Sequence, residues 1–130
     1  DREREKKLIR GGRLIALASA SIPKMYFEDN LRPCDEKIRE TVELCETHDP
    51  EGICNSIDAL RLRPDLRPIL ENPAREVMLI HGDHDNFLPL ATVEQMKQSF
   101  PKLRYVLVPS SGHNAFIERQ DAVVEAIKSF

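Results

Sequence analysis

No apolar run in the 130 residues approaches the roughly 20 that a membrane-crossing helix requires, and the chain opens on Asp1-Arg2-Glu3-Arg4-Glu5, where a signal peptide would carry an apolar stretch. A membrane is therefore not an expected partner. An excess of one charge is lacking too. Nineteen Lys and Arg stand against 22 Asp and Glu for a formal net charge of −3, and the signs are mixed along the chain, so no basic stripe offers itself to nucleic acid. Cysteine is scarce: Cys34, Cys45 and Cys54 are odd in number, form no Cys-x-x-Cys pair and have no histidine at a zinc-like spacing. They read as reduced, half-buried helix residues, which points to the cytoplasm. No metal or cofactor is expected. An initiating methionine is also missing, and the chain starts inside a charged helical pattern, so it reads as a piece of a longer protein.

What is present suits one soluble folding unit, with 41% hydrophobic and 32% charged residues. Up to about residue 70 the apolar residues recur at helical spacing. A first helix runs from Asp1 to about Ala20 through Leu8, Ile9, Leu14, Ile15 and Leu17. Gly11-Gly12 in its middle marks a bend or a close helix contact, and Ser21-Ile22-Pro23 ends it because the residue before proline is pushed out of the helical region. A second helix follows Pro33, with Ile38, Thr41, Val42 and Cys45 on one stripe and Glu36, Lys37, Arg39 and Glu40 facing solvent. The third begins at Asp49 as N-cap, with Pro50 in the first turn, buries Ile53, Ile57 and Leu60, and stops before Pro64. The proline-punctuated stretch Arg61–Pro68, with room for one short helical turn, connects this half to the next.

After about residue 72 the pattern becomes strand, helix, strand, helix. The strands Val77–Ile80 and Tyr105–Val108 are continuous apolar runs, as in a parallel sheet covered on both faces. The helix between them, about Pro89 to Phe100, presents Val93, Met96 and Phe100, and the last helix presents Val123, Ala126, Ile127 and Phe130. Two parallel strands make no stable sheet, so further strands of the same protein, or a second copy of the piece, must complete it.

Each strand opens into a polar loop: His81-Gly82-Asp83-His84-Asp85-Asn86-Phe87-Leu88-Pro89 after the first, Pro109-Ser110-Ser111-Gly112-His113 after the second. Functional groups of an open parallel sheet collect at the carboxyl ends of its strands. A carboxylate that accepts the Nδ1 proton of an imidazole sets its tautomer and stabilises the imidazolium formed when the other nitrogen takes a proton. Asp85 would orient and His113 would be the base, with Gly82 and Gly112 permitting tight turns.

These motifs resemble the carboxyl-terminal part of the α/β-hydrolases, in which a strand followed by Gly-x-x-Asp-x-x-x-Pro carries the acid, here Gly82, Asp85 and Pro89. The next strand followed by Gly-His carries the base, here Gly112 and His113. The resemblance covers residues 75 to 130 and continues through Glu118; where many relatives have a proline two residues later, Gln120 stands here. It implies an incomplete α/β-hydrolase fold: a helical cap over residues 1–72, then the last parallel β-α-β-α unit over residues 73–130. Ile22, Met25, Tyr26 and Phe27 would line a substrate pocket under such a cap or simply pack its helices. It also implies catalytic Asp85 and His113 serving a serine nucleophile upstream, on an ester or similar small organic substrate. Relatives with an aspartate nucleophile, which dehalogenate or open epoxides, use the same two positions.

The nucleophile is absent from these residues. No Gly-x-Ser-x-Gly elbow occurs: Ser110 and Ser111 lie on the histidine loop, and Ser19, Ser21, Ser56 and Ser99 lack flanking glycines. The 130 residues alone are expected to be inactive. Asp83 competes with Asp85 for the acid role, and the family spacing favours Asp85. His84 reads as solvent-facing, His81 as packed at the strand end and His48 as surface. A metal held by His81, Asp83, His84 and Asp85 would need consecutive loop residues to converge on one ion. A non-catalytic binding module of the same fold is the second functional class. A phosphoacceptor aspartate lacks the acidic pair on an early strand and the lysine on a later one that it needs.

Overall fold

The computed structural model describes residues 2–72 and 74–130. Asp1, at the start of the first expected helix, and Pro73, at the expected division of the chain, lie outside the described residues. Two compact units emerge, one of Asp1–Pro23 with Asp35–Pro64 and the other of Lys24–Cys34 with Asp65–Phe130. The units interleave, whereas the division at residue 72 is linear; residues 24–34 leave the helical stretch and fold with the strands.

The first unit is helical. Helix α1 (Arg2–Leu8) passes through a wide π-type turn (Ile9–Arg13) into α2 (Leu14–Ser21). The bend sits at Gly12, whose φ of 77° lies in the left-handed region that glycine alone enters without a Cβ penalty. Ile22 keeps helical dihedrals although Pro23 follows, contrary to expectation. Its N–H bonds the Ala18 carbonyl, and the chain tightens into a 3-10 turn over Ile22–Met25 instead of leaving the helix. Helix α3 (Asp35–Cys45) half-buries Ile38, Val42 and Cys45, while Thr41 is exposed and turns its hydroxyl back to the Lys37 carbonyl at 2.7 Å.

Helix α4 (Pro50–Leu62) starts as its sequence requires, the Asp49 carboxylate accepting the Gly52 N–H at 2.9 Å. It ends where Arg63 extends (ψ 141°) before Pro64. Its inner face is centred on the fully buried Cys54 and on Asp58, one turn along. Leu60, expected inside, is therefore turned outward and 60% exposed. Asp58 accepts both bonds of the buried Lys6 ammonium, at 2.8 and 3.0 Å, and Glu3 adds a third contact at 3.0 Å. The ammonium is thus buried with its charge paired, the condition under which lysine enters an interior.

The second unit holds the short helix α5 (Arg67–Leu70), strand β1 (Met78–Gly82), helix α6 (Leu90–Ser99), strand β2 (Arg104–Val108), and helices α7 (Ala115–Glu118) and α8 (Gln120–Lys128). The strands are parallel, in a register that runs from Met78 opposite Arg104 to Gly82 opposite Val108. Among the described residues the sheet has these two strands. Its core gathers Val108, Ala115 and Val123 with Ile80 packed against them, and Val93 of α6 is fully buried. Arg104 ties β2 to the end of α8 through the Ser129 carbonyl (2.6 Å) and hydroxyl (2.8 Å). Ile127 and Phe130 of the last helical segment, expected to pack inward, are 58% and 56% exposed, and Leu107 of β2 is 49% exposed. A two-stranded sheet offers α8 too little surface to cover its whole apolar stripe.

Candidate functional site: an acid and a base on adjacent strand ends

Gly82 and Val108 end the two strands opposite one another, so the loops that follow start side by side. The approach is close: a Cβ at Gly82 would overlap the carbonyl oxygens of Ser111 and Gly112. Asp83 N–H donates to the Val108 carbonyl at 3.1 Å and His84 N–H to the Ser111 carbonyl at 2.9 Å, stitching one loop to the other.

Within this frame Asp85 is buried and its two oxygens divide their work. Oδ1 accepts the backbone N–H groups of Phe87 (2.7 Å) and Leu88 (3.0 Å), a turn that fixes the carboxylate plane. Oδ2 lies 2.8 Å from His113 Nδ1. Burial works to raise the Asp85 carboxyl, but the His113 contact and the two N–H donors outweigh it and hold the group below its usual value of 3.8. His113 is 43% exposed at its side chain, against 4% for Asp85. Nε2 has no partner among the described residues, and in the tautomer that gives Nδ1–H to Asp85 it would hold a free lone pair. Phe87 lies beside the imidazole, ring centroids 5.1 Å apart and tilted by 50°.

The competing acid is otherwise employed. Asp83 Oδ1 accepts the Ser111 N–H at 3.1 Å and lies 2.7 Å from Nδ1 of His84. Burial opposes its ionisation, and the His84 and loop N–H contacts prevail to keep it charged. His84 is exposed, as expected, yet stacks on Phe27 at 3.8 Å between ring centroids. His81 is buried at 4% exposure, and neither ring nitrogen finds a partner among the described residues; burial pushes its imidazole toward the neutral form. His48 is exposed, its Nδ1 2.9 Å from the Leu44 carbonyl. Among the described residues no three His, Cys, Asp or Glu side chains are grouped to hold a metal, and no helix is long and apolar enough to cross a membrane.

Beside Asp85 a groove of about 430 Å³ is bordered by Tyr26, Phe27, Asp83, His84 and Leu90. Of the residues considered for a pocket lining, Tyr26 and Phe27 border it and Ile22 is buried. The loops also engage side chains to which the sequence reading gave no role. Glu118 and Asn30, both buried, bond to each other and to the backbone of the histidine loop. Position in the sequence carries no sign of this, since the two lie 88 residues apart. Ser110, one residue into the same loop, takes a φ of 54°, a strained conformation for a residue with a Cβ.

Known proteins share this fold. The solved structure of a thermophilic esterase from Thermogutta terrifontis matches with a TM-score of 0.83 at 23% identity, over 98% of this chain and 48% of that one. The enol-lactonase from Burkholderia xenovorans LB400 matches with a TM-score of 0.80 at 24% identity, over 95% of this chain and 47% of that one. Both likenesses concern the fold, and this chain spans about half of each. Among curated sequences, a pimeloyl-acyl-carrier-protein methyl ester esterase of Nitrosomonas europaea is 40% identical over 53 residues, 41% of this chain and 21% of that protein. A 1-acylglycerol-3-phosphate O-acyltransferase of Saccharomyces cerevisiae is 36% identical over 62 residues, 45% of this chain and 16% of that protein. The sequence profile of the alpha/beta hydrolase fold matches residues 16–120. With most of its length matched by that profile and a parallel strand pair as its core, the chain belongs to the α/β-hydrolase family.

Proposed function

We propose that these 130 residues supply the acid and the base of a Ser-Asp-His hydrolase acting on an ester or similar small organic substrate, the nucleophile standing on a segment outside them. The observation that carries the reading is the 2.8 Å contact between His113 Nδ1 and the buried Asp85, with Nε2 left unpartnered among the described residues in a side chain that is 43% exposed. Nε2 takes the hydroxyl proton as the nucleophile attacks the acyl carbon, and the imidazolium returns that proton to the leaving oxygen. Asp85 stays ionised throughout and stabilises the charged ring. An acyl-enzyme is then cleared by water through the same base.

The ester preference draws on the relatives, two of which are named esterases, while the acyltransferase passes an acyl group to another acceptor. An aspartate nucleophile would use the same pair on a haloalkane or epoxide. In this proposal the helical residues 1–72 act as a cap, and further strands of the protein, or a second copy, complete the sheet. The three free thiols favour a cytoplasmic setting. A binding module is the second reading, favoured by the absence of a nucleophile elbow from these residues.

The test is hydrolysis of p-nitrophenyl esters by the full-length protein expressed from its own reading frame. His113→Ala is expected to lower kcat by about a thousandfold or more, and the 130 residues alone to show no turnover above the buffer rate. A His113→Ala protein that works at the wild-type rate sinks the assignment.

A further inference from the structure

Glu118 has both carboxylate oxygens occupied at 8% exposure. Oε1 accepts the Gly112 N–H at 2.8 Å; Oε2 accepts the Phe27 N–H at 2.8 Å and the Asn30 amide at 2.7 Å. Asn30, 6% exposed, also gives Nδ2–H to the Ser110 carbonyl at 2.8 Å, and Arg119 Nη2 lies 3.4 Å from its Oδ1. That contact turns the amide so that its NH2 side meets Glu118 and Ser110. Asn114 N–H adds a bond to the Met25 carbonyl at 3.0 Å.

The residues on both sides of His113, Gly112 and Asn114, are therefore fastened to the segment 25–30, and the strained Ser110 is fastened there as well. His113 itself makes no such bond. Its ring is placed by the backbone around it and by Asp85. The fit is close enough that a Cβ on Gly112 would stand 2.7 Å from the Phe27 nitrogen and 2.8 Å from the Tyr26 carbonyl carbon. Donors converging on a buried carboxylate are a directional, charge-assisted arrangement, and each would be orphaned by its removal.

We propose that Glu118 and Asn30 are positioning residues for the base: they clamp the histidine loop onto segment 25–30 so that His113 Nδ1 meets Asp85 Oδ2. The inference deepens the reading above and rests on it. A glutamine at 118 keeps the shape but turns an NH2 toward N–H donors on one side or the other.

The experiment uses the full-length protein with p-nitrophenyl butyrate, and proton NMR of the His113 Nδ1–H, identified by its loss in His113→Gln. For folded Glu118→Gln the expected result is a kcat lower by about a hundredfold, the scale of a small misplacement of a reacting group, with KM unchanged. The His113 Nδ1–H signal should broaden through faster exchange with water. Asn30→Ala should move both readouts in the same direction by less. A folded Glu118→Gln protein with wild-type kcat and an unaltered His113 signal overturns the proposal; if that variant does not fold, Asn30→Ala decides on the same two readouts. Turnover indifferent to His113→Ala overturns the base assignment instead, and the NMR signal still reports whether the clamp sets the ring.

Discussion

At the scale of single residues, two neighbouring aspartates have been given different work by their surroundings. Asp85 holds His113, whereas Asp83 holds the Ser111 N–H and His84. Asp85→Asn should cost about a thousandfold or more in kcat, because an amide can present its NH2 to Nδ1 and favour the wrong tautomer. Asp83→Asn should cost far less, and a kcat measured for each in the full-length protein separates them. The Asp85 carboxyl also makes stability depend on pH. Its folded value lies below 3.8, so the unfolded chain binds its proton first as pH falls. The stabilisation is complete above the unfolded value and is lost as pH drops through the folded one. Lowering pH from about 5 to about 3 should therefore reduce the thermal midpoint of the wild type more than that of Asp85→Asn.

At the scale of elements, the close approach of the two loops depends on glycine. Gly82→Ala drives a methyl into the Ser111 and Gly112 carbonyls, backbone atoms that cannot swing away. It should cost about 3 kcal/mol, the upper part of the overpacking range, read from urea unfolding. Gly12 makes no such contact; its φ of 77° means that Gly12→Ala should cost about 1–2 kcal/mol through the backbone alone. Asp49→Ala removes the cap of α4 and should cost about 1 kcal/mol. Helix α4 was readable to its ends because its signals are local: a cap, a proline in the first turn and a proline just beyond. Which way Leu60 faces was not readable, because the buried face is set by Lys6 reaching Asp58 from 52 residues away.

At the scale of the whole molecule, the sheet pairs two strands among the described residues and leaves Leu107, Ile127 and Phe130 exposed. Apolar side chains and unpaired strand edges of this kind need a covering partner. If further strands complete the sheet, as proposed, the 130 residues by themselves are expected to self-associate and to bind a hydrophobic dye, and the full-length protein to do neither. Light scattering and dye fluorescence on both samples check this; a monomeric, dye-silent 130-residue chain would show that the two strands suffice.

The sequence by itself determined the β-α-β-α order, the parallel strands and the candidate acid and base, since these rest on apolar runs and on motifs within nine residues of a strand end. Motif spacing favours Asp85 over Asp83, and Asp85 is the aspartate whose Oδ2 lies 2.8 Å from His113 Nδ1. What only the tertiary structure decided is how the histidine loop is held. The family pattern reaches Glu118, but its pairing with Asn30 across 88 residues and the excursion of residues 24–34 into the strand-bearing unit leave no periodicity or local spacing to read. They exist because the Gly112 and Phe27 N–H groups and the Asn30 amide, once buried, need acceptors, and folding brings one carboxylate within reach of all three.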